Sequence, residues 1–496
     1  MNLAQCLTQV ESLGPVNGAL QLSGICSDSR QIKPGDLFVS LSAADSCTHL
    51  RQAFRQGAAA ALIDSKVSCD LAADDSAKLV PVDNLSAQAS LIAGNFFDHP
   101  SRRMRLVGIT GTNGKTSLCK WLEFLLCRCG MSAASLGTLG VSHCGDLLQP
   151  ADGMTTRDAI ESQRWLSECR EAGAEVCAME VSSHGLQQGR VAAVHFNMAL
   201  FTNFTRDHLD FHGSEEAYWQ AKRRLFDMPD LEVVLVNLDD ARGCMLADEL
   251  RDRVRVVGFS SRGHKDAQLS AINAVFSPSL QFQLQWQGQL IEFKAPWLVA
   301  EFELSNLCAA LAVAMELGAS VEDLYRAVAE LKPARGRLQP VGRVGGSTLY
   351  VDYAHTPDAV QNSLQALRAS APGQLLAVLG CGGDRDPGKR PLMAAAALTS
   401  ADRLLITSDN PRSESAQQIA DDMMRGVPGD KLDCVDLCLD RARAIEQSVA
   451  MMSDGYSVAL LGKGHETCQL VGSEKQHFSD IETAAACIGQ AGGELL

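Results

Sequence analysis

The stretch that decides the fold of this 496-residue chain is Gly108-Ile109-Thr110-Gly111-Thr112-Asn113-Gly114-Lys115-Thr116-Ser117. It follows the apolar pair Leu106-Val107 and precedes apolar residues at the spacing of a buried helix face, namely Leu118, Trp121, Leu122, Leu125 and Leu126. The pattern therefore predicts a strand, a glycine-rich turn and a helix, in that order.

A glycine-rich turn in this setting is typical of a phosphate-binding loop. Its backbone N–H groups cradle phosphate oxygens, Lys115 reaches the terminal phosphates and the Thr116 hydroxyl binds Mg²⁺. The match departs from the strict pattern at Ile109, where a glycine is usual. The alternative is a plain glycine turn, which we consider weaker because Gly-Lys-Thr at such a junction is uncommon without a nucleotide.

The composition excludes several classes of function. The chain has 44 lysine and arginine residues against 59 aspartate and glutamate residues, a net charge of −15, which argues against nucleic-acid and anionic-membrane partners. Met1 to Gly14 lacks a basic and apolar leader, and no run of about 18 apolar residues occurs, so we expect no membrane partner. An enzyme free in solution is the expected class.

The seventeen cysteines are scattered without paired CxxC spacing. This odd number favours buried thiols in a reducing compartment over a disulfide framework, so we expect a cytoplasmic protein.

The order of patterns predicts an α/β protein of three domains, because strand-like apolar runs alternate with helical patterns in three segments. Residues 1–103 predict a smaller N-terminal α/β domain. Residues 104–331 predict a central domain with a mostly parallel sheet covered on both faces. Residues 332–496 predict a second doubly wound sheet, and linker-like residues at 99–103 and 332–337 set the boundaries.

Polar residues follow the predicted strands of the central segment, where sheets of this kind bind ligands. Thr155-Thr156 precedes a helix, and the runs at 180–184 and 202–210 each close a strand. Alone, Glu180 could be a solvated carboxylate and His208 a satisfied core histidine. A P-loop metal ion nevertheless needs oxygen or imidazole ligands nearby, which favours a functional role for both.

Three other polar features allow two interpretations each. Lys222 lies beside Arg223 and Arg224 in a helical pattern and could belong to an exposed basic face. The turn at 27–30 could bind a ligand or be an Asx or serine turn. The C-terminal clusters at 352–358, 380–386, 408–412 and 462–466 all follow strand candidates, and four clusters at one sheet edge predict a second binding site.

Five motifs in this order resemble the Mur ligases of bacterial cell-wall synthesis. They are Gly-Thr-Asn-Gly-Lys-Thr from Gly111, Glu-Val-Ser-Ser-His from Glu180, Thr-Arg-Asp-His-Leu-Asp from Thr205 with Lys222 beyond it, Asp-Tyr-Ala-His-Thr-Pro-Asp from Asp352, and Asp-Asn-Pro-Arg from Asp409. The resemblance covers nearly the whole chain.

The resemblance implies a monomeric ATP-dependent ligase of three domains. The N-terminal domain would bind the UDP moiety, the central domain ATP and the Rossmann-like C-terminal domain an amino acid. Among the family's reactions, the motifs imply addition of meso-2,6-diaminopimelate to the D-glutamate of UDP-N-acetylmuramoyl-L-alanyl-D-glutamate, through an acyl phosphate. No protein nucleophile is required in this chemistry.

The resemblance also implies roles for particular residues around ATP and Mg²⁺. The phosphates would be held by Gly111, Thr112, Asn113, Gly114, Lys115, Thr116 and Ser117, and the rest of ATP by Asn306, Arg337, Asp352 and His355. The metal ligands would be Thr116, Glu180, His208 and Lys222, with Lys222 N-carboxylated by CO₂. The catalytic set would be Lys115, Glu180, His208 and Lys222.

The implied substrate contacts are distributed over all three segments. Ser27 and Ser29 would hold the uridine end, and the muramoyl-peptide would be held by Thr155, Thr156, Ser182, Gln188 and Arg190. Diaminopimelate would be held by Arg385, Asp409, Asn410, Pro411, Arg412, Gly462 and Glu466. Arg412 would fork onto the far carboxylate, which lysine lacks.

Four features depart from the family pattern. Met154 stands where asparagine is common, Glu303 stands for asparagine, Gln339 stands for glutamate, and the loop Ser42 to His49 lacks its usual glycine and Asp-Gly. These departures bear on the muramoyl-peptide, adenine and uridine contacts.

Three alternatives remain open at this point. A sister ligase would share the ATPase centre but lack Asp-Asn-Pro-Arg. A binding or regulatory protein would keep the fold without catalysis, although Lys115, Glu180, His208 and Lys222 are all present. A mechanical P-loop ATPase would need a partner-binding signal that the sequence lacks.

Overall fold

The computed structural model describes residues 1–10, 18–42, 45–151, 153–276, 279–370 and 373–496. Within them the chain forms three sheets flanked by helices and one separate hairpin, which confirms the predicted α/β class. Of the divergent loop Ser42 to His49, residues 43 and 44 lie outside the described part.

The N-terminal sheet is small and parallel, in the order β1-β2-β3-β4. The elements of this segment are α1 (Leu3–Cys6), β1 (Gly24–Cys26), β2 (Asp36–Val39), α2 (Ser46–Arg55), β3 (Ala60–Asp64), α3 (Ala73–Ser76), β4 (Leu79–Val82) and α4 (Leu85–Phe96), followed by a 3₁₀ turn at Pro100–Arg102.

The central segment contains eleven strands and eight helices among the described residues. They are β5 (Arg105–Thr110), α5 (Lys115–Arg128), β6 (Ala133–Gly137), β7 (Gly140–His143), β8 (Asp146–Gln149), α6 (Ala159–Glu171), β9 (Val176–Glu180), α7 (Ser183–Gln187), β10 (Met198–Phe201), α8 (Leu209–His212), α9 (Glu215–Arg223), β11 (Val233–Asn237), α10 (Ala241–Leu250), β12 (Arg255–Ser260), β13 (Leu269–Val275), β14 (Leu280–Trp286), β15 (Gln289–Ala295), α11 (Glu301–Glu316) and α12 (Val321–Glu330). A 3₁₀ turn, Arg224–Asp227, follows α9.

These strands form one sheet in the order β15-β14-β13-β12-β11-β10-β5-β9-β6-β7-β8. The seven strands from β13 to β6 are parallel, as predicted, and antiparallel strands extend both edges. Strand β5 therefore lies inside the sheet, between β10 and β9. Polar residues after these three strands meet at one edge because parallel strands end on the same side.

Helix α5 packs as its sequence spacing predicts. Its residues Leu118, Trp121, Leu122, Leu125 and Leu126 are all buried, in one core with the central part of α11. Burial of this face fixes the direction in which the helix leaves the glycine turn, and so the position of the turn itself.

The C-terminal segment forms a second doubly wound sheet in the order β20-β19-β18-β21-β17-β16-β24. Its elements are β16 (Gln339–Val344), β17 (Ser347–Asp352), α13 (Pro357–Ser370), β18 (Gln374–Leu379), α14 (Lys389–Ser400), β19 (Arg403–Ile406), α15 (Ala416–Met424), a 3₁₀ turn (Gly429–Cys434), β20 (Val435–Leu437), α16 (Arg441–Met452), β21 (Tyr456–Leu461), a hairpin of β22 (Cys468–Val471) with β23 (Glu474–His477), α17 (Asp480–Gln490) and β24 (Glu494–Leu495). The strands from β20 to β17 are parallel. The predicted boundaries at 103/104 and 331/332 fall between the sheets and stay a prediction.

Four of the seventeen cysteines form disulfides, whereas the sequence pattern predicts free thiols. Cys47 is bonded to Cys69 and Cys127 to Cys144, while the other thirteen cysteines are free. The expectation was wrong for these four, because the folded chain brings together residues 22 and 17 positions apart that form no recognisable spacing motif. No helix among the described residues has the length and apolar character needed to cross a bilayer.

A fully buried ion pair joins the starts of α16 and α17. The Arg441 guanidinium donates to both carboxylate oxygens of Asp480 at 2.7 and 2.6 Å, and both side chains are 0% exposed. Arg441 also donates to Leu461 O at 3.0 Å, at the end of β21.

We expect Asp480→Ala to lower the free energy of unfolding of the C-terminal segment by about 3–5 kcal/mol, because it leaves a buried guanidinium unpaired. The matched control is Glu322→Ala, which breaks an exposed pair with Arg326 and should cost less than about 1 kcal/mol. Differential scanning calorimetry measures both. Equal effects of the two variants would contradict the stabilising role of the buried pair.

Candidate active site

Two positions of the glycine turn between β5 and α5, Gly111 and Gly114, leave no space for a side chain. Gly111 has φ of 144° and Gly114 has φ of 91°. A Cβ at Gly111 would collide with the Thr202 hydroxyl, and one at Gly114 with the Asn306 side chain. Both positions therefore need glycine. Asn306 from α11 lies directly against the loop, and its contact with ATP stays a prediction.

The loop is held from the side by the residues that follow β10. Asn113 N donates to Asn203 Oδ1 at 2.9 Å, and the Thr202 hydroxyl donates to Asn113 O at 2.7 Å. The Thr112 hydroxyl donates to Thr205 O at 3.1 Å. The loop conformation thus depends on a neighbouring strand end as well as on its own glycines.

Two lysine ammonium groups converge on one loop carbonyl. Lys115 Nζ donates to Gly111 O and Thr112 O, both at 2.8 Å, and Lys222 Nζ donates to Gly111 O at 2.7 Å. Lys222 is 1% exposed, so its interpretation as part of an exposed basic face is wrong. Burial holds the pKa of Lys222 well below its ordinary value, and the charge of Lys115 lowers it further. Burial also lowers the pKa of Lys115.

Glu180 ends β9 and points at the start of α5. Its carboxylate accepts a hydrogen bond from the Thr116 hydroxyl at 2.9 Å and from Thr138 N at 2.8 Å. The carboxylate is 1% exposed, so the alternative of a solvated side chain is wrong. A Cβ at Gly137 would collide with this carboxylate, so glycine is needed before Thr138. The Glu180 and Thr116 oxygens thus lie together beside the phosphate loop.

Thr138 is a site residue that the sequence reasoning missed. Its hydroxyl lies 3.1 Å from Glu180 Oε2 and 3.1 Å from the Thr155 hydroxyl, so it connects the predicted metal ligand to the predicted substrate contacts. A signal was present, because Thr138 directly follows the apolar run of β6, just as Glu180 closes that of β9.

His208 lies near Lys222 across the ring of Tyr218. The ring centroids of His208 and Tyr218 are 5.9 Å apart, and Lys222 Nζ is 4.3 Å from the Tyr218 centroid. His208 Nε2 lies 3.5 Å from Asp207 Oδ2. Burial lowers the pKa of His208 to about 4, so its ring is neutral at pH 7 and able to bind a metal.

Four of the predicted muramoyl-peptide contacts form one hydrogen-bonded chain beside Glu180. The Thr156 hydroxyl donates to Glu180 O and accepts from Ser182 N, both at 2.9 Å. Arg190 donates to Thr156 O at 2.5 Å and to Gln188 Oε1 at 2.6 and 2.9 Å. The fifth predicted contact, Thr155, is connected to this chain by its hydrogen bond from the Thr138 hydroxyl.

The N-terminal serines occupy different environments. The Ser27 hydroxyl donates to Asp158 Oδ2 at 2.8 Å, and Asp158 caps α6 of the central segment. Ser29 is 4% exposed and donates to Gln52 Oε1 at 2.8 Å within its own segment. Arg30 N donates to Asp28 Oδ1, the hydrogen bond of an Asx turn. Ser27 thus lies near the muramoyl-peptide chain, whereas Ser29 is engaged with α2.

The linker to the C-terminal sheet reaches the phosphate loop. Arg337 donates to the Thr116 hydroxyl at 3.1 Å and lies over the Tyr353 ring at 4.5 Å. Asp352 accepts from Leu338 N at 3.1 Å and from the Ser363 hydroxyl at 2.5 Å, and burial raises its pKa. His355 Nδ1 donates to Tyr353 O at 2.9 Å. Arg337 thus contacts the glycine turn directly. Asp352 instead holds the backbone turn that carries Arg337, through its hydrogen bond from Leu338 N.

The second cluster lies at the edge of the C-terminal sheet. Asn410 Nδ2 donates to Glu466 Oε2 at 2.8 Å, and a Cβ at Gly462 would lie 2.9 Å from Asp409 Oδ2. Arg412, which follows Pro411, has φ of 52° and donates to Gly383 O at 2.6 Å. Arg385 is exposed and donates to Asp384 O at 3.0 Å.

An exposed ion pair between Arg412 and Glu414, two positions along the chain, would compete with ligand binding by Arg412. Glu414 instead accepts from the buried Arg390 at 2.8 Å. The hairpin holds the backbone of Arg412, since Arg412 N donates to Leu470 O and Gly472 N donates to Arg412 O.

The departures from the family pattern have structural explanations in two cases. Glu303 caps α11 by accepting from Val299 N and Ala300 N at 2.8 and 3.0 Å, and burial raises its pKa to about 8. Gln339 Oε1 accepts from Gly336 N at 2.8 Å and so supports the turn before Arg337. Met154 is 37% exposed.

Comparison with known proteins identifies relatives that match nearly the full length of this chain. The family described as Mur ligase middle domain matches residues 109–314, and the Mur ligase, glutamate ligase domain matches residues 336–464. The UDP-N-acetylmuramoyl-L-alanyl-D-glutamate--2,6-diaminopimelate ligase of Pseudomonas putida is 41% identical and covers 92% of this chain and 93% of its own. The ligase of the same name from Pseudomonas aeruginosa is 40% identical and covers 98% and 97%.

A solved structure of a ligase with that name superposes with a TM-score of 0.67 at 30% sequence identity, over 99% of both chains. The sequence motifs, the three sheets and these relatives agree over the full length, and the chain belongs to the Mur ligase family.

Proposed function

We propose that this protein adds meso-2,6-diaminopimelate to the D-glutamate of UDP-N-acetylmuramoyl-L-alanyl-D-glutamate, using ATP, in peptidoglycan synthesis. The observation that carries the proposal is the contact of Thr116 with Glu180, beside two lysines on the Gly111 carbonyl. It supplies paired oxygen donors and cations where a nucleotide triphosphate would be bound. The names of the curated relatives support the choice of reaction.

The residues present fit Mg²⁺. Glu180 and Thr116 offer two oxygen ligands of the type that Mg²⁺ prefers, and we propose that His208, whose ring lies against Tyr218, supplies a further ligand. Among the described residues no three histidine, cysteine, aspartate or glutamate side chains lie together as a metal site, so ATP oxygens and the Lys222 carbamate would complete the ligand set. When bound, the metal would neutralise charge on the phosphate oxygens of ATP.

Lys222 would join the metal ligands as its N-carboxylated form. Burial lowers the pKa of Lys222, so its amine loses a proton more readily and can then attack CO₂. The N–C bond forms as one C=O electron pair moves onto oxygen, a second proton leaves the nitrogen for solvent, and the carbamate carries one negative charge shared by its two oxygens. A buried ammonium facing a second ammonium is otherwise a costly arrangement, because two like charges lie close together out of water. Conversion of Lys222 to an anionic carbamate removes that repulsion and places a negative charge beside the Lys115 ammonium.

The reaction then proceeds in two steps. The γ-carboxylate of D-glutamate attacks the γ-phosphorus of ATP, the bond to the ADP oxygen breaks, and an acyl phosphate forms. Lys115 offsets charge on the transferred phosphoryl group. The diaminopimelate amine, once deprotonated, attacks the acyl carbon, and inorganic phosphate leaves from the tetrahedral intermediate. Thr156, Ser182, Gln188 and Arg190 would hold the acceptor, and Arg337 would help position ATP at Thr116.

Arg412 would select the incoming amino acid. Diaminopimelate differs from lysine by one far carboxylate, and a guanidinium can receive that group with two parallel hydrogen bonds. The retained Asp409-Asn410-Pro411-Arg412 run counts against a sister ligase, and the retained lysines, Glu180 and His208 count against a binding protein without catalysis.

We further propose that the protein acts in the cytoplasm as a monomer. Thirteen of the seventeen cysteines are free against four in two disulfides, and this excess of thiols supports the cytoplasmic assignment. Light scattering of the purified protein would measure the oligomeric state.

The decisive experiment is ADP release by purified protein given UDP-muramoyl-dipeptide, with meso-diaminopimelate or L-lysine as the amino acid. We expect release with the first and little with the second. If no amino acid stimulated ADP release, the proposed reaction would have to be abandoned.

We expect Gly114→Ala to weaken ATP binding by more than about tenfold, because a positive φ costs about 1–3 kcal/mol and the new Cβ would displace Asn306. Gly130→Ala is the matched control, since Gly130 has φ of 81° but no atom within 4 Å of its Cβ position. Calorimetric titration with a non-hydrolysable ATP analogue measures both. An unchanged Kd for Gly114→Ala would contradict the placement of ATP on this loop.

We expect Lys222→Ala to lose about 100-fold or more of its activity and to regain part of it with added short carboxylates that replace the carbamate. Arg223→Ala removes the neighbouring, partly exposed guanidinium, which pairs with Asp227 and Glu249 and not with the glycine turn, and should stay within about threefold of wild type. Isotope-labelled bicarbonate and NMR would detect the carbamate directly. Near-normal turnover of Lys222→Ala would exclude the carbamate.

We expect Arg412→Lys to lower diaminopimelate addition by more than about tenfold while the KM for ATP is unchanged, because a point charge does not replace the planar fork. Arg425→Lys is the control, since Arg425 is 70% exposed and pairs with Asp422. Steady-state kinetics with meso-diaminopimelate and L-lysine decide the matter. Full retention of the preference in Arg412→Lys would remove Arg412 from the selection of substrate.

A further inference from the structure

Lys463 is an ammonium group without exposure to solvent, and the sequence reasoning assigned it no role. It follows β21 and is 0% exposed. Its Nζ donates to Asn410 Oδ1 at 3.2 Å, Glu466 Oε2 at 2.9 Å and Cys468 O at 2.8 Å. All three N–H donors therefore have acceptors, which is the condition under which a buried ammonium is tolerated.

The partners of Lys463 are the residues proposed to hold the amino acid. Besides Asn410 and Glu466, Asp409 Oδ1 lies 3.6 Å from its Nζ. One ammonium among two carboxylates leaves the cluster with one net negative charge. Such a cluster is suited to receive a single further cation, while the neighbouring Arg412 is suited to receive an anion.

Lys463 also sets the orientation of its neighbours. Asn410 Oδ1 accepts from Lys463 and from Leu470 N at 2.9 Å, so the amide nitrogen must face Glu466. Lys463 and Asn410 both donate to Oε2 of Glu466. Within the described part of the chain, Oε1 of Glu466 accepts no hydrogen bond, so one carboxylate oxygen is fixed and the other is available.

We propose that Lys463 is a positioning residue for amino-acid selection, which holds Glu466 and Asn410 so that Glu466 Oε1 receives the ammonium at the far end of the amino acid. The inference rests on the proposed function of this site. Together with Arg412, it makes the site specific for a far end that carries both an ammonium and a carboxylate. An amino acid lacking the ammonium would leave Glu466 Oε1 without a donor, and one lacking the carboxylate would leave Arg412 without an anionic partner.

The test compares meso-diaminopimelate with 2-aminopimelate, which keeps both carboxylates but lacks the far amino group. We expect the wild-type protein to prefer meso-diaminopimelate by more than about tenfold in kcat/KM, since 2-aminopimelate would leave Glu466 Oε1 without a donor in the occupied site. In Lys463→Met, which keeps the length of the side chain but not its charge, the KM for meso-diaminopimelate should rise by about tenfold or more and the preference should fall below about threefold. The KM for ATP should not change, since Lys463 lies at the other sheet.

Lys463→Gln and Lys475→Met complete the experiment. Lys463→Gln retains donors without charge and should show an intermediate loss, and it decides the matter alone if Lys463→Met does not fold. Lys475→Met removes an exposed lysine of β23 and should behave as wild type. A purely structural role of Lys463 would change thermal stability without changing the preference, and this outcome in both Lys463 variants would overturn the proposal.

Different results would overturn the proposed function and the proposed role of Lys463. If wild-type protein released no ADP with meso-diaminopimelate, the proposed function itself would fail. If wild-type protein were active and selective and the Lys463 variants kept that selectivity, only the role of Lys463 would be overturned.

Discussion

The position of one buried carboxylate, Glu180, is the constraint on which the central site depends. It lies at the end of β9 against the first turn of α5, where Thr116 and Thr138 donate to it. A carboxylate with this little exposure is stable only when its oxygens are hydrogen-bonded or bind a cation. Gly137 is required beside it, and the loop glycines are required on the other side. The backbone at the ends of β5, β9 and β6 therefore has the conformation that leaves room for the Glu180 carboxylate.

From this point the two α/β units are connected by a short chain of contacts. Arg337, the last residue of the linker, donates to the Thr116 hydroxyl, which in turn donates to Glu180. The Trp121 indole donates to Lys332 O at 2.9 Å, which attaches the linker to α5. The glycine turn, proposed to bind phosphate, thus touches both the sheet that carries it and the segment that carries the cluster proposed to bind the amino acid. An enzyme that joins two substrates in sequence needs such proximity between the sites that hold them.

The amino-acid cluster follows a different principle from the phosphate loop. The loop uses backbone N–H groups and glycine conformations, whereas the C-terminal cluster uses buried side-chain charges that fix one another. Arg390, Arg441 and Lys463 are all nearly inaccessible to water, and each is paired with carboxylates. Pairs of this kind contribute less to stability than hydrophobic residues would, but they hold the orientation of polar groups that a ligand must match.

The sequence by itself determined the class of fold, the glycine turn between strand and helix, and the family, because these are encoded in local spacing. The apolar residues of α5 and the polar residues after β9, β10 and β17 were all recognisable without coordinates. Only the tertiary structure decided that Lys222 is buried against Gly111 O, that Thr138 joins Glu180 to Thr155 and that Lys463 holds Glu466. It also decided the disulfide partners of Cys47 and Cys127. The physical reason is that burial and pairing of a polar side chain depend on contacts between distant segments, and residues 111 positions apart, such as Gly111 and Lys222, carry no mark of their contact in local pattern.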